Sequence, residues 1–143
     1  MARIKVALPA KFLFFTSIPV RITDVNYGGH VGNDSMLSLI HEARMQFLKE
    51  FGFTEMDFSG VSLIMSDVAI EFKNEIFYGD TLTAFVTITD ISRIGFDIVY
   101  KLIKANTDQE ILVAIAKTGM ICFDYTKKKI VTVPQKLTEL FKG

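Results

Sequence analysis

One stretch of this chain constrains its fold more than any other. Met36, Leu39, Ile40, Ala43, Phe47 and Phe51 recur at the spacing of a single helical face. Asn33 or Asp34 stands where a side chain caps a helix start, and Gly52 where a glycine ends one. The spacing predicts a helix from about Asp34 to Phe51. Around it the period changes to two. Leu82, Ala84, Val86 and Ile88 alternate with Thr81, Thr83, Thr87 and Thr89. Ile94, Phe96, Ile98, Tyr100 and Leu102 alternate with Gly95, Asp97 and Lys101. Such alternation of β-branched and polar residues is a half-buried strand. Ile111 to Ala116 is apolar on both faces, as a central strand is, and Phe12 to Ile22 and Ser62 to Phe72 complete the set. Asp90-Ile91-Ser92-Arg93 and Asn106-Thr107-Asp108-Gln109 read as turns joining neighbouring strands into an antiparallel meander. Pro134 before Gln135 to Phe141 predicts a short closing helix.

The expected fold is therefore α+β, one long helix against an antiparallel sheet of about five strands. The chain has 143 residues, half of them hydrophobic, which suits one domain spanning 1–143 with a real core. A single sheet does not wrap such a helix completely, and 13 Phe and 6 Met make the chain apolar. Pairing with copies of itself is expected. The formal net charge is zero, with 16 basic and 16 acidic residues, so no basic field for nucleic acid exists. Lys127-Lys128-Lys129 reads as a turn. Cys122 is the only cysteine, which excludes an internal disulfide and a cysteine-rich zinc site and suits a reducing, cytoplasmic setting. No run of about 18 apolar residues predicts a membrane span, and the first ten residues do not read as a signal peptide.

The chemistry concentrates in Asp24-Val25-Asn26-Tyr27-Gly28-Gly29-His30-Val31-Gly32-Asn33-Asp34, between the first strand and the long helix. Glycines let backbone approach a ligand, and free N–H groups at a helix start favour developing negative charge. An acyl transfer needs such donors at its oxyanion, and a group that positions water or takes its proton. Asp24, Asn26, His30 and Glu42 are the catalytic candidates; Tyr27, Gly29, Val31 and Asn33 are the candidate substrate contacts. Plainer readings stand beside them. A Gly- and Asn-rich turn is more often structural. His30 has the option of bonding a backbone carbonyl, and Glu42 of pairing with Gln46 or Lys49. His41 falls off the core face. Asp67, interrupting an apolar strand, marks a bulge or pairs with a helix group. Cys122 reads as a buried small hydrophobe. No Gly-x-Ser-x-Gly elbow exists, and two histidines without a carboxylate cluster make no metal site.

Arg21 to Asn33 resembles the opening motif of the hot-dog-fold thioesterases of the 4-hydroxybenzoyl-CoA thioesterase and acyl-CoA thioester hydrolase family, Asp-x-Asp-x-x-Gly-His-Val-Asn-Asn. His41-Glu42-Ala43-Arg44 is similar to that family's helix ending, Phe77-Tyr78-Gly79-Asp80-Thr81-Leu82 to its Gly-Asp-x-Leu strand start, and Phe123 to Lys127 with Val133-Pro134 to its closing strand and tail. The resemblance runs in one order from about residue 12 to 141. It implies a helix wrapped by the sheet, a homodimer or homotetramer, no cofactor, and hydrolysis of an acyl-CoA or acyl carrier protein thioester. Asn26 replaces the second acid of Asp-x-Asp, which one branch uses as nucleophile or base. A neutral amide does neither, but it can hold water or the thioester carbonyl. The resemblance leaves His30 or Glu42 as base, with His30 orienting the thioester or water and Glu42 the charged partner. The backbone N–H of Asn33 polarises the carbonyl, and Asp24 is retained from the motif. A non-catalytic acyl-thioester binder and an acyl-thioester dehydratase or hydratase are the alternatives.

Overall fold

The computed structural model describes residues 3–106 and 108–141. The helical stripe becomes α1, Asn33–Glu50, burying Met36, Leu39, Ile40, Ala43, Arg44, Phe47 and Leu48. Its N-cap is Gly32, with no side-chain cap bond, rather than Asn33 or Asp34. Its first N–H groups are thus not closed by a neighbouring side chain. Gly52, at φ +82°, turns the chain out of the helix as expected.

The strands are β1 (Phe14–Pro19), β2 (Ser62–Phe72), β3 (Thr81–Thr89), β4 (Gly95–Asn106), β5 (Gln109–Asp124) and β6 (Lys129–Ile130). They form one six-stranded sheet in the order β1-β3-β4-β5-β2, with β6 on β5. All its pairings are antiparallel. The meander β3-β4-β5 follows from the two turns; Thr107 in the second turn lies outside the described residues. The expected first strand is shorter than Phe12 to Ile22. Beyond Pro19 only the Val20 N–H continues the pairing, onto the Asp80 carbonyl at 2.9 Å. Ile22–Asp24 then tightens into a 3-10 turn. β2 slips register between Met65 and Asp67, the bulge that Asp67 suggested, and Lys117 pairs with Asp67 at 3.0 Å. The Lys127 region is a turn held by Asp124 Oδ1, which accepts the Thr126 and Lys127 N–H groups. A short helix, α2, Gln135–Leu140, closes the chain after Pro134. No helix of the described residues is long and apolar enough to cross a membrane.

The core lies between α1 and the sheet face carrying Leu82, Ala84, Val86, Ile98, Tyr100, Leu102, Ala114 and Ala116. Phe47, Phe51, Phe58, Phe96 and Phe141 join it as a chain of ring contacts that bolts α2 to the far end of α1. One charged side chain is buried in it. Arg44 donates from Nη1 to the Tyr100 hydroxyl at 3.3 Å, and Tyr100 shares a 2.7 Å hydrogen bond with Thr118.

The opposite face of the sheet has a cover of its own. Val99, Ile103 and Ile115 are buried yet lie outside the main core cluster. Residues 3–13 precede β1 as a strap. The Val6 N–H donates to Glu71 Oε2 on β2 at 2.7 Å, and Phe12 packs on Phe85 of β3 with centroids 6.0 Å apart. Between those anchors lie β5 and β4, about 14 Å of sheet. The strap from Val6 to Phe12, which reaches up to about 20 Å, therefore crosses them.

Candidate active site

The glycine-rich segment folds into a small loop standing on the start of α1. Val25 and Val31 form a bridge pair. The Asn26 N–H donates to the His30 carbonyl at 2.9 Å, and the Gly29 N–H to the Asn26 carbonyl at 3.0 Å. Gly29 sits at φ +80°, a conformation that a side chain opposes. The loop is docked by the Val31 N–H on the Ile76 carbonyl at 2.8 Å and by a bridge between His30 and Phe77. Tyr27 stands fully exposed at its tip.

Within this loop the Asn26 carboxamide is oriented through its oxygen. Its Oδ1 accepts the Gly28 N–H at 2.9 Å. Its Nδ2 lies 3.3 Å from where a Cβ on Gly32 would sit, beside Asp34 Oδ1 at 3.0 Å from the same point. Gly32 therefore lets the amide of Asn26 close over the open helix start. His30 is half-buried; its Nδ1 lies 3.3 Å from the Val31 carbonyl, and its Nε2 faces Gly28.

Two separate clefts flank α1. His30, Val31, Asn33, Met36, Phe72, Lys73, Asn74, Glu75 and Ile76 line one of about 310 Å³ at the helix start. Asp24 and Glu42 line another of about 350 Å³, between α1 and β1. The sequence candidates are thus divided. Asn33 and Glu42 are nine residues apart, two and a half helical turns, and so point in opposite directions. Glu42 is exposed and accepts a 2.7 Å hydrogen bond from Gln46, the plainer of its two readings. Asp24 is buried and works locally: its Oδ2 accepts the Arg21 N–H at 2.8 Å and closes the 3-10 turn. His41 is exposed and bonded to Glu55 Oε1 at 2.7 Å. Cys122 is buried, and burial alone pushes its thiol up to about 11, which removes it as a nucleophile.

Glu75, Asn74, Phe72 and Met36 in the first cleft escape a motif reading. Glu75 belongs to the loop after β2, which the pairing of His30 with Phe77 and the Val31–Ile76 hydrogen bond bring to the helix start. What this cleft can do is plain from its parts. It brings the unclosed N–H groups of the helix start and the His30 imidazole to one small space, which suits attack on a carbonyl whose oxygen becomes negative.

A model of the thioesterase-like superfamily matches residues 20–141. A 1,4-dihydroxy-2-naphthoyl-CoA hydrolase of Microcystis aeruginosa is 32% identical over 121 residues, covering 82% of this chain and 85% of that protein. A 1,4-dihydroxy-2-naphthoyl-CoA thioesterase from Synechocystis matches with a TM-score of 0.79 at 23% identity, covering 90% and 95% of the two chains. A 4-hydroxybenzoyl-CoA thioesterase variant, solved complexed with 4-hydroxybenzoyl-CoA, matches with a TM-score of 0.79 at 17% identity, covering 90% and 97%.

Proposed function

Because this chain belongs to the thioesterase-like superfamily, and is a hot-dog-fold thioester hydrolase, we propose that its substrate is the CoA thioester of a hydroxylated aromatic acid and that the cleft at the start of α1 is where it is cleaved. The observation that carries the assignment of the cleft is the uncapped start of α1 opening onto it beside His30. The substrate class is supported by the Microcystis relative, which is named for such a thioester.

The reaction follows from the groups present. The thioester oxygen takes the Asn33 N–H and the Asn26 Nδ2 as donors. Negative charge growing on it is stabilised by the helix start. Water adds to the carbonyl carbon while His30 accepts its proton. The carbon–sulfur bond then breaks, and the same proton returns to the leaving thiolate. Asn26, unlike a carboxylate, forms no acyl-enzyme, so the route is direct attack by water. Tyr27, Gly29 and Val31 shape the loop that the thioester passes, while Asp24 braces it.

We place the working unit in the cytoplasm as a homodimer or homotetramer. β2 is an edge strand of 11 residues whose Met65, Val68 and Phe72 are exposed, and an exposed apolar edge is a template for a second copy.

The test is thiol release from a panel of aromatic and aliphatic acyl-CoAs. Release from the aromatic thioesters, reduced about 10²–10⁴-fold in His30→Ala, is the expected result. Retention of intact thioester without release from any member would instead favour a binding protein, the reading that the neutral Asn26 supports.

A further inference from the structure

The loop that walls the cleft, residues 73–80, has no ladder of its own. It leaves β2 at one edge of the sheet and must reach β3, with β5 and β4 lying between. That crossing spans about 14 Å of strand ends. We propose that Lys104 on β4 is a positioning residue for cleavage: its ammonium fixes this loop in mid-crossing, and the loop in turn fixes His30. The proposal rests on the cleavage cleft assigned above and deepens it.

The loop is fastened strand by strand. On β5, the Leu112 carbonyl accepts the Asn74 side-chain amide at 2.7 Å and the Val113 carbonyl accepts the Lys73 N–H at 2.9 Å. At the far end, the Asp80 carbonyl accepts the Val20 N–H at 2.9 Å. Over β4 the fastening is Lys104. Its Nζ donates to the Glu75 carbonyl at 2.7 Å and to Asp80 Oδ2 at 3.1 Å, and lies 5.1 Å from the centre of the Phe77 ring. Asp80 Oδ2 also accepts the Phe77 N–H at 2.8 Å. One ammonium thus ties residues 75, 77 and 80 together. The same stretch receives the glycine-rich loop. The Ile76 carbonyl, next along from that of Glu75, accepts the Val31 N–H at 2.8 Å, and Phe77 is the bridge partner of His30. Where the backbone of residues 75–77 stands therefore decides where the imidazole stands.

Burial separates this contact from an ordinary surface pair. The Lys104 side chain is 12% exposed, against 27% for Lys117 and 41% for Lys73. An ammonium so far from water is costly unless its donors are met. Asp80 balances its charge, and the Glu75 carbonyl and the Phe77 ring complete its surroundings. A buried ion pair adds little net stability beside an apolar pair of the same size; what it adds here is a single arrangement of the loop. That matters to a reaction, because a misplacement of about 1 Å at a reacting group costs about 10²-fold in rate.

Steady-state kinetics and amide exchange test this together. Lys104→Met is expected to lower kcat on 4-hydroxybenzoyl-CoA by about 10–10²-fold. In a His30→Ala background the same change should lower it by less than about twofold, because Lys104 acts through His30. Lys104→Arg, which keeps a cationic donor, should stay within about fivefold of wild type. In Lys104→Met the Val31 amide should exchange about tenfold faster or more, while the Ile40 amide inside α1 keeps its rate. Lys104→Gln, too short to reach both oxygens, replaces Lys104→Met where the latter does not fold. A loss of kcat additive with that of His30→Ala, or a Val31 amide unmoved in Lys104→Met, would overturn the positioning role and leave the cleavage cleft standing. A faster Val31 amide beside full activity in His30→Ala would strike the cleavage cleft instead, with the fastening of the loop intact.

Discussion

At the proposed cleavage cleft the division of labour turns on single side chains. Replacing Asn26 by Ala removes one preorganised donor and should lower kcat about 10²-fold, whereas Asn26→Asp, which restores an acid, should retain activity or raise it. Glu42→Gln should leave kcat within about twofold, because Glu42 faces the β1 groove, while Glu75→Gln alters a wall of the cleft itself. Steady-state kinetics on one aromatic thioester distinguish these outcomes, and a collapse in Glu42→Gln would return the base to that residue. Cys122 gives a pH signature instead. Its folded thiol titrates near 11, above an ordinary thiol. The unfolded chain therefore loses this proton first as pH rises. Stability that the neutral thiol contributes is intact below about pH 8.5 and declines as pH climbs toward 11. Denaturant melts across that window should show the decline in wild type and less of it in Cys122→Ala. Native protein should resist thiol reagents at pH 8.

At the scale of elements, β4 and β5 meet so closely at Gly95 that a Cβ there would stand 2.2 Å from the Met120 carbonyl oxygen. Backbone cannot yield as a side-chain tip does, so Gly95→Ala should cost about 3 kcal/mol and lower Tm by about 6–12 °C. Differential scanning calorimetry measures it, and an unchanged Tm would contradict the packing. Much of this layout is readable without coordinates. Six apolar residues at helical spacing specify α1, and threonine alternation specifies β3, because one face of each must meet the core. β6 is not readable, since two residues carry no period. The cap escapes for a chemical reason: sequence reading seeks a side chain at a helix start, and here the start is left open by Gly32. The segment around Asn26 and His30 is conspicuous in the sequence. Glu75 is not, because a loop–loop pairing rather than a motif brings it to the cleft.

For the whole molecule, the proposed assembly turns on the β2 edge. Two edges meeting would cover Met65, Val68 and Phe72. Met65→Lys with Val68→Lys should therefore yield a monomer by light scattering. A stable wild-type monomer at micromolar concentration would sink the oligomer. The strap carries a different consequence. It is laid across the sheet's back and fastened through Glu71, whose carboxylate the Val6 N–H holds below its ordinary range. The strap thus lies over the face on which Val99, Ile103 and Ile115 are buried. Shortening the chain from its front would bare an oily rectangle far from any catalytic group. Trimmed protein would clump before it lost chemistry, so a shortened version that precipitates says nothing against the active site.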